Sequence, residues 1–457
     1  MTTLNMQLEP SQVDVDVTDL KRELKTLKKD KGLLGKRVGE LKRADQSAEK
    51  EIESLALISK RINELSKTLK KRLNNSTNTV KDAGTNLGTT TLNLSTEESE
   101  ESKAFDLLKK QTVSNIVRFN GDKELAQKVD DFVDMHPEGT IYHKSALFNF
   151  IDKTFAHDRA FLVALNNDAV IGLLPLVRLN SPLFGNFIVS VPYFNYGGIL
   201  SNNPDTAKLL VAEASQWKNT VNASHIEFRH TEKDIVDLPC RTDKVTFILP
   251  LPQNKEDLWA SFKPKLRAQI KRSSRLSPSI KIGRNELLDD FYHVFSINMR
   301  DLGTPVYGKG FFSNALDSFG DAAKLIVIYL NDKPVACAFL LGFKETLEIP
   351  WASTLKEFNP VGINMTMYWE ILTFAIHQGY SKFDFGRCTK DCGTYKFKKQ
   401  WGAHPIPFYW HYSLPEGEQL PQLNPNNPKF KLLVAVWKRL PVALTKLIGP
   451  HVVKYLP

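Results

Sequence analysis

Two stretches of the chain, 165 residues apart, share one pattern of apolar and polar residues. In each, at 165–176 and again at 330–341, Leu-Asn leads into a polar turn containing Asn-Asp, and an apolar run follows. This pattern predicts a β-hairpin. The period is too long for a solenoid and predicts two copies of one domain. Chance similarity between two common hairpins is the alternative.

The second half of the chain continues with a defined order of predicted elements. Apolar stretches predict strands at Thr346–Ala352 and Phe383–Phe385, with a helix from Met365 to Gln378 between them. The loop before this helix contains Gly362 and Asn364. Unpaired N–H groups at a helix N-terminus attract anions, so both residues are candidate contacts for a phosphate. A helix start that binds no ligand is the commoner case.

Three clusters of basic or aromatic residues accompany these elements. They lie at 265–272 (KLRAQIKR), 298–307 (NMRDLGTPVY) and 383–402 (FDFGRCTKDCGTYKFKKQWG). The first predicts a helix suited to phosphate binding, with a solvated amphipathic face as the alternative. The second is a polar helix end that runs into a Gly-Pro turn, and a plain helix stop explains it equally. In the third, aromatic and cationic residues alternate from Tyr395 to Trp401, which predicts a strand with Lys396 and Lys398 on one face.

These blocks, together with Glu348-Ile-Pro-Trp-Ala-Ser, resemble the FemAB-type branch of the GNAT acyltransferase superfamily. They are most similar to the FemAB-related proteins associated with bacterial exopolysaccharide and PEP-CTERM/exosortase systems. The resemblance implies a mixed α/β (α+β) fold with two tandem GNAT-like domains, at 111–250 and 251–413, which agrees with the repeated hairpin. It also implies transfer of an acyl or aminoacyl group to an amine of a cell-envelope or exopolysaccharide precursor.

The resemblance further implies roles for individual residues. Lys398 is expected to stabilise the donor's carbonyl oxygen as charge develops on it. Glu348 is expected to deprotonate the attacking amine, with a structural ion pair as the alternative. Asp384 is expected to orient Arg387 or the amine. The remaining candidates for substrate and donor binding are Lys265, Arg267, Arg300, Tyr307, Gly362, Asn364, Arg387, Tyr395 and Lys396.

The identity of the donor stays open at this point. GNAT enzymes that use acyl-CoA usually carry Gln/Arg-x-x-Gly-x-Gly/Ala before the phosphate-binding helix, and the stretch Asn359–Asn364 keeps only Gly362. We therefore expect no permanently bound cofactor, and either acyl-CoA or aminoacyl-tRNA as the co-substrate. Cys388 and Cys392 are separated by a loop-like segment, so we expect no metal site.

The N-terminal region differs from the rest of the chain in charge and periodicity. Residues 18–73 contain 17 Lys and Arg against 9 Asp and Glu, and apolar residues recur at spacings of three and four. This pattern predicts an antiparallel helical-hairpin (coiled-coil) arm between a disordered segment 1–17 and a flexible linker 74–110. The arm weakly resembles the helical arm of seryl-tRNA synthetases. Homodimerisation and tRNA binding are its two alternative functions.

The C-terminal tail, 414–457, mixes apolar and basic residues in two predicted helices. It either packs back on the second domain or makes a peripheral contact with the inner face of a membrane. The sequence contains no apolar run of membrane-spanning length, which predicts a cytoplasmic protein. A non-catalytic GNAT-fold protein that uses its arm for oligomerisation or RNA binding remains the alternative to an enzyme, because the sequence has no obligatory catalytic triad or metal set.

Overall fold

A computed structural model describes residues 111–390, 392–421 and 428–456 of the chain. The predicted N-terminal segment 1–17, the helical-hairpin arm 18–73 and the linker 74–110 lie outside the described residues.

The described elements alternate between strands and helices. Those up to residue 241 are β1 (Asn115–Phe119), α1 (Lys123–Met135), α2 (Ser145–Thr154), β2 (Arg159–Asn166), β3 (Ala169–Ser181), β4 (Gly185–Val189), β5 (Leu200–Ser201), α3 (Pro204–Thr220), β6 (Ile226–His230) and β7 (Cys240–Arg241). Those after it are β8 (Lys244–Pro250), α4 (Lys255–Ser261), α5 (Pro264–Ser274), β9 (Ser279–Gly283), α6 (Leu288–Leu302), α7 (Lys309–Phe319), β10 (Ala323–Leu330), β11 (Lys333–Phe343), β12 (Thr346–Thr354), α8 (Ile363–His377), β13 (Lys382–Asp384), β14 (Cys388–Thr389), α9 (Gly393–Gln400), β15 (His404–Pro407), β16 (Tyr409–Ser413), α10 (Pro428–Trp437) and α11 (Val442–Val453).

The strands form two sheets that repeat one topology. The first has the order β1-β2-β3-β4-β6-β16-β7, and the second, taken from its opposite edge, has the order β9-β10-β11-β12-β13-β8-β14. In each sheet the fourth and fifth strands of this order are parallel, while their other neighbours are antiparallel. The repeated hairpins are β2–β3 and β10–β11. The prediction of a mixed α/β fold with two copies of one unit is therefore confirmed.

The two sheets exchange strands and do not follow the predicted boundary at residue 250. β8 precedes that boundary but pairs with β13 in the second sheet. β16 lies near the C-terminal end of the repeat but pairs with β6 in the first sheet. Each sheet is therefore completed by a strand from beyond its own stretch of sequence, which holds the two units together.

An aromatic cluster fills the space between the units. Phe150 of α2 and Phe311 of α7 contact each other edge to face, with ring centroids 5.0 Å apart. Phe194, which follows β4, packs on Trp351 of β12 at 5.6 Å. These side chains belong to one continuous buried cluster with members from both units. Buried aromatic rings supply much of the apolar area in such an interface. Because Phe194 contacts Trp351, the residues after β4 lie against β12.

One predicted element is wrong. Residues 395–401 were expected to form a strand, but Gly393–Gln400 is the helix α9. Lys398 is buried and Lys396 is exposed, because residues two apart on a helix point to opposite sides. Lys396 and Lys398 therefore do not act together as the alternation suggested.

Candidate functional site

A buried carboxylate pair lies where the parallel strands of the second sheet separate. β12 and β13 pair over three residues, and the last pair is Glu348 with Asp384. Immediately beyond, Ile349 and Pro350 of β12 occupy the space opposite the single residue Leu340 of β11. Such a β-bulge bends its strand, and Pro350 suits it because proline has no N–H for the ladder. The bulge turns β12 away from β13 and opens a cleft between them.

Residues from the first unit hold Glu348 in place. The hydroxyl of Tyr142 donates to Glu348 Oε2 at 2.6 Å, and the amide of Asn195 donates to Oε1 at 2.7 Å. The Tyr196 hydroxyl lies within hydrogen-bonding distance of both carboxyls, 3.0 Å from Asp384 Oδ2 and 3.4 Å from Glu348 Oε2. Three side chains that precede Glu348 by more than 150 residues therefore orient it.

The hydrogen-bond donors to Asp384 come mainly from its own unit. The Thr246 hydroxyl and the Gly386 backbone N–H both donate to Oδ1, the latter at 2.7 Å. Burial, and then the Asp384 charge, raise the pKa of Glu348 to about 8. Burial also raises the pKa of Asp384, although its three donors favour the ionised form. The two carboxyls therefore share a proton near neutral pH, since two adjacent buried charges are costly.

An open cavity of about 410 Å³ reaches the carboxylate pair from one side. This acidic cavity is bounded by the 137–142 segment, β12 and the end of β13. The acidic residues and lysines that line it are Glu138, Glu232, Lys344, Glu345, Glu348, Lys382 and Asp384. Carboxylates outnumber cations, and Lys382 is already paired with Glu345 at 2.7 Å. A positively charged group is therefore favoured in this cavity.

The opened strands form a second cavity of about 310 Å³ beyond the carboxylate pair. This cationic cleft lies between Ile349–Ala352 of β12 and the 385–387 segment that follows β13. Arg387 and Lys398 line it, and none of the described residues lining it is acidic. The carboxylate pair thus lies close to two cavities of opposite charge.

Lys398 supports the wall of the cationic cleft. Its Nζ donates to the carbonyl oxygens of Gly386 at 2.6 Å and Arg387 at 3.0 Å. Burial lowers the pKa of this lysine. An ammonium group has three donors, so one N–H remains available to an oxygen in the cleft.

Arg387 is the free cation of the cleft. Among the described residues, no acceptor hydrogen-bonds to its guanidinium, which lies 5.2 Å from the centre of the Trp410 ring. Burial, and then the nearby Arg229, lower the pKa of Arg387 to about 10. A guanidinium binds phosphate or carboxylate with two parallel hydrogen bonds, so this side chain is suited to an anionic ligand.

The equivalent cleft of the first unit is filled. β4 and β6 separate after the pair Val189 and Glu227, as β12 and β13 do after theirs. Arg229, two residues further on, is 1% exposed and donates to Glu227 at 2.7 Å and to the carbonyl oxygens of Val191 and Phe194. Gly386 holds the matching position in the second unit. Only the second unit therefore keeps its cleft open.

The predicted phosphate contacts lie in different places. Gly362, with φ of 74°, is the N-cap residue immediately before α8, and Asn364 is in the first turn of that helix. The α5 side chain that reaches this loop is Arg272, whose Nη2 donates to the Pro360 carbonyl at 2.8 Å. Lys265 and Arg267 lie earlier on α5 and line neither cavity.

The other candidates also separate. Tyr307 lines the cationic cleft, and Tyr395 packs on Phe247 with ring centroids 4.8 Å apart. Arg300 donates to Asp301 at 2.6 Å and to the Leu440 carbonyl, away from both cavities. Lys396 is exposed on the outer side of α9.

Sequence reasoning missed Tyr142, Asn195, Tyr196 and Thr246. Tyr193, Asn195 and Tyr196 belong to the segment Pro-Tyr-Phe-Asn-Tyr-Gly-Gly at 192–198, which is dense in aromatic and turn residues. It follows β4, the strand that corresponds to β12. Its composition and its position in the repeat were the available indication of a functional loop.

Comparison with known proteins supports this description of the second unit. Residues 260–399 match the family model described as an acetyltransferase (GNAT) domain. No curated protein matches the chain. The structure of FemX is similar with 15% identity over 70% of this chain and all of that chain, at a TM-score of 0.49. L-PGS from Bacillus licheniformis has 16% identity over 71% of this chain and 99% of its own, at 0.46.

A tandem GNAT protein from the clavulanic acid biosynthesis pathway shows 10% identity over 67% of this chain and 99% of its own, with a TM-score of 0.43. The family match covers α5 to α9, including the carboxylate pair and both cleft cations. The described part of the chain thus consists of two units of one strand order in tandem, and the second of them contains the residues 260–399 that match an acetyltransferase (GNAT) domain.

Proposed function

We propose that this chain is a FemAB-like N-acyltransferase that moves an acyl or aminoacyl group from an activated donor to an amine. The observation that carries the proposal is the Glu348–Asp384 pair, which lies between an acidic cavity and a cationic cleft. The match of residues 260–399 to a GNAT domain supports the same reaction class. The amine acceptor occupies the acidic cavity, and the donor occupies the cleft between β12 and β13.

The reaction begins with a protonated amine, which the acidic cavity attracts. The carboxylate pair takes one proton, and the amine lone pair attacks the donor carbonyl carbon. The free N–H of Lys398 donates to the carbonyl oxygen as it becomes negative, which is the role assigned to it from the sequence. The C–N bond forms, the bond to the donor's leaving group breaks, and the second amine proton passes to that leaving group. The pair then releases its proton to water.

Arg387 binds the donor through an anionic group. Acyl-CoA and aminoacyl-tRNA both carry phosphates, and the start of α8 with Arg272 beside it forms a second basic element on the same unit. The acceptor proposed from the sequence, an amine of a cell-envelope or exopolysaccharide precursor, agrees with an acidic cavity. The proposed tRNA contact of residues 18–73 applies only if the donor is aminoacyl-tRNA.

The test is transfer by the purified full-length chain. Acetyl-CoA and a mixture of labelled aminoacyl-tRNAs are each incubated with a panel of amines, and products are detected by mass spectrometry. Transfer that is lost in Glu348→Gln supports the proposal, and the donor that is consumed identifies the co-substrate.

The matched control is Glu370→Gln, a partly buried carboxyl on α8 that lines neither cavity. It is expected to retain transfer. If the wild type binds donor and amine but transfers nothing with either donor class, the enzyme proposal fails and the non-catalytic alternative is favoured.

A further inference from the structure

A third cavity adjoins the acidic cavity and has no role in the reaction proposed above. It measures about 330 Å³ and lies at the start of α3 in the first unit. Glu138 and Glu232 line both this cavity and the acidic cavity, so the two share a wall. A molecule in the acidic cavity can extend past these two carboxylates into the third cavity.

An unpartnered amide marks the third cavity as a binding site. Asn202 lines it and is 7% exposed, yet neither the oxygen nor the nitrogen of its side-chain amide has a hydrogen-bond partner among the residues that the structure describes. A buried amide without partners is costly, and native proteins rarely keep one without a reason. A ligand with a donor and an acceptor would satisfy both atoms.

The charge of the cavity specifies the ligand further. Three acidic residues line it, Glu138, Glu232 and Asp234, together with one lysine among the described residues, Lys233. Burial, then the Glu138 charge and a hydrogen bond with Glu138, raise the pKa of Glu232, so the two carboxyls lie in contact. A cation beside this pair favours its ionised form.

We propose that the third cavity binds a second ammonium group of the acceptor, with an oxygen next to it held by Asn202. This inference rests on the proposed N-acyltransferase function and names its substrate class. The acceptor is a molecule with two amines: one reacts at Glu348, and the other binds at Glu138 and Glu232. Its second amine has a hydroxyl or carbonyl oxygen on the neighbouring carbon, which pairs with the Asn202 amide.

The test compares a homologous series of linear monoamines, the corresponding α,ω-diamines, and diamines with a hydroxyl beside one amine. At the best chain length, the diamine is expected to have a KM about tenfold below that of the monoamine, as charge-assisted hydrogen bonds allow. The hydroxyl lowers KM further. Glu232→Gln removes the advantage of the second amine, while Asn202→Ala removes only the advantage of the hydroxyl.

The control is Asp205→Asn, on the first turn of α3, whose carboxylate faces Lys208 at 3.0 Å and does not line the cavity. It is expected to keep both advantages. If no diamine of any length surpasses its monoamine, or if Glu232→Gln leaves the ratio unchanged, the second subsite is refuted. This outcome differs from failure of the enzyme proposal, in which monoamines are not acylated either.

A separate observation concerns the outer face of the C-terminal helices. Among the described residues, half of the large exposed apolar side chains belong to α10 and α11. They are Leu432, Leu433, Val434, Val436, Leu444, Leu447 and Ile448. The chain from residue 419 to its end contains six Lys and Arg and no Asp or Glu. No described helix is long and apolar enough to cross a membrane.

The inner face of α11 is packed on the protein. Thr445, Gly449 and Val453 are buried, and a Cβ at Gly449 would lie 2.7 Å from the Val306 carbonyl oxygen. The carbonyl of Lys454 accepts from Tyr193 at 2.6 Å. These contacts fix the orientation of α11. Its apolar outer face is therefore exposed in a well-packed helix.

We infer that the outer face of α10 and α11 binds an anionic lipid surface. An exposed apolar face on a segment that is rich in cations and contains no acid matches the boundary between acyl chains and negative headgroups. This refines the peripheral membrane contact expected from the sequence, because packing against the protein and contact with lipid use opposite faces of α11.

The experiment is flotation of the full-length chain with phosphatidylcholine vesicles, with or without phosphatidylglycerol. Binding is expected only with the anionic lipid, and Leu433→Glu with Leu447→Glu reduces it at least tenfold. Leu183→Glu, at a 78% exposed position between β3 and β4, is the control and leaves binding intact. Equal binding by the double variant refutes the inference, as does a dimer in solution that the double variant converts to a monomer.

Discussion

The shared proton of the carboxylate pair leads to a quantitative prediction for Glu348→Gln. Glutamine keeps the shape of the side chain but is neutral at every pH. In the variant, Asp384 carries the only charge, and its donors Thr246, Tyr196 and the Gly386 N–H support that charge. The wild type, by contrast, must ionise a second buried carboxyl as the pH rises.

The magnitude follows from the raised pKa of Glu348. A carboxyl that titrates near 4.5 in the unfolded chain and at about 8 in the fold makes the folded state bind one more proton between these values. The free energy of unfolding then falls by about 1.4 kcal/mol for each pH unit in this window. Stability from this group is fully present below the unfolded pKa and is lost as the pH rises through the folded value. Between pH 6 and pH 8 the loss is about 2 kcal/mol, because the slope falls to half its full value at the folded pKa.

The assay is urea unfolding of wild type and variant across this pH range, followed by circular dichroism. The free energy of unfolding of the wild type is expected to fall as the pH rises. For Glu348→Gln the slope of this fall is expected to be smaller by the equivalent of about one proton. A second readout is the carboxylic-acid C=O band in the infrared difference spectrum at neutral pH, present in the wild type and absent in the variant. Activity should fall about 10²-fold or more, because the general base is removed.

Two results would refute the reasoning. If wild type and variant show the same pH slope, no proton is shared by the pair. If the variant retains full kcat with a wild-type pH profile, the proton of the amine goes elsewhere. In the wild type we expect kcat/KM to rise with pH through about 8, as the pair loses its shared proton.

Three further substitutions test the two clefts. Gly386→Ala places a Cβ 3.1 Å from the Ile349 carbonyl oxygen at a φ of 72°, so activity should be lost. Its control is Gly379→Ala, at a similar φ but with open space around the new Cβ. The control should cost only about 1 kcal/mol of stability in thermal unfolding. Arg387→Ala should raise the KM of the donor at least tenfold without moving that of the amine in steady-state kinetics. Arg229→Ala should destabilise the fold by about 3 kcal/mol in urea unfolding, because Glu227 is left buried without its cation and with Tyr412 as its side-chain donor among the described residues. The variant should keep kcat in the folded fraction, and an equal loss of kcat would show that the first cleft participates.

Much of the local structure could be predicted from the sequence. The two hairpins, the helix at 363–377 and the strand that ends at Asp384 follow from apolar runs and turn residues, which act over a few neighbours. The helix α9 could not, because its short aromatic and cationic alternation fits a strand, while Tyr395, Lys398 and Trp401 equally fit a spacing of three. A segment of this length does not distinguish the two periods.

The candidate site was predictable in part. The sequence, through the family resemblance, placed Glu348, Asp384, Arg387 and Lys398 together, and the structure brings all four to the point where β12 and β13 separate. It also proposed Lys265, Arg267 and Arg300 as substrate- or donor-binding residues, and these line neither cavity.

By itself, the sequence determined the repeated hairpin and, in the second half of the chain, the succession of strands and helix that ends at Asp384, because hydrophobic periodicity and turn chemistry are local. Only the tertiary structure decided that Tyr142, Asn195 and Tyr196 of the first unit orient that carboxyl, and that Arg229 closes one cleft while Gly386 leaves the other open. The protonation of the pair was decided there as well. A pKa depends on burial and on charges close in space. The groups that surround this pair are far apart in the sequence and come together only in the folded chain.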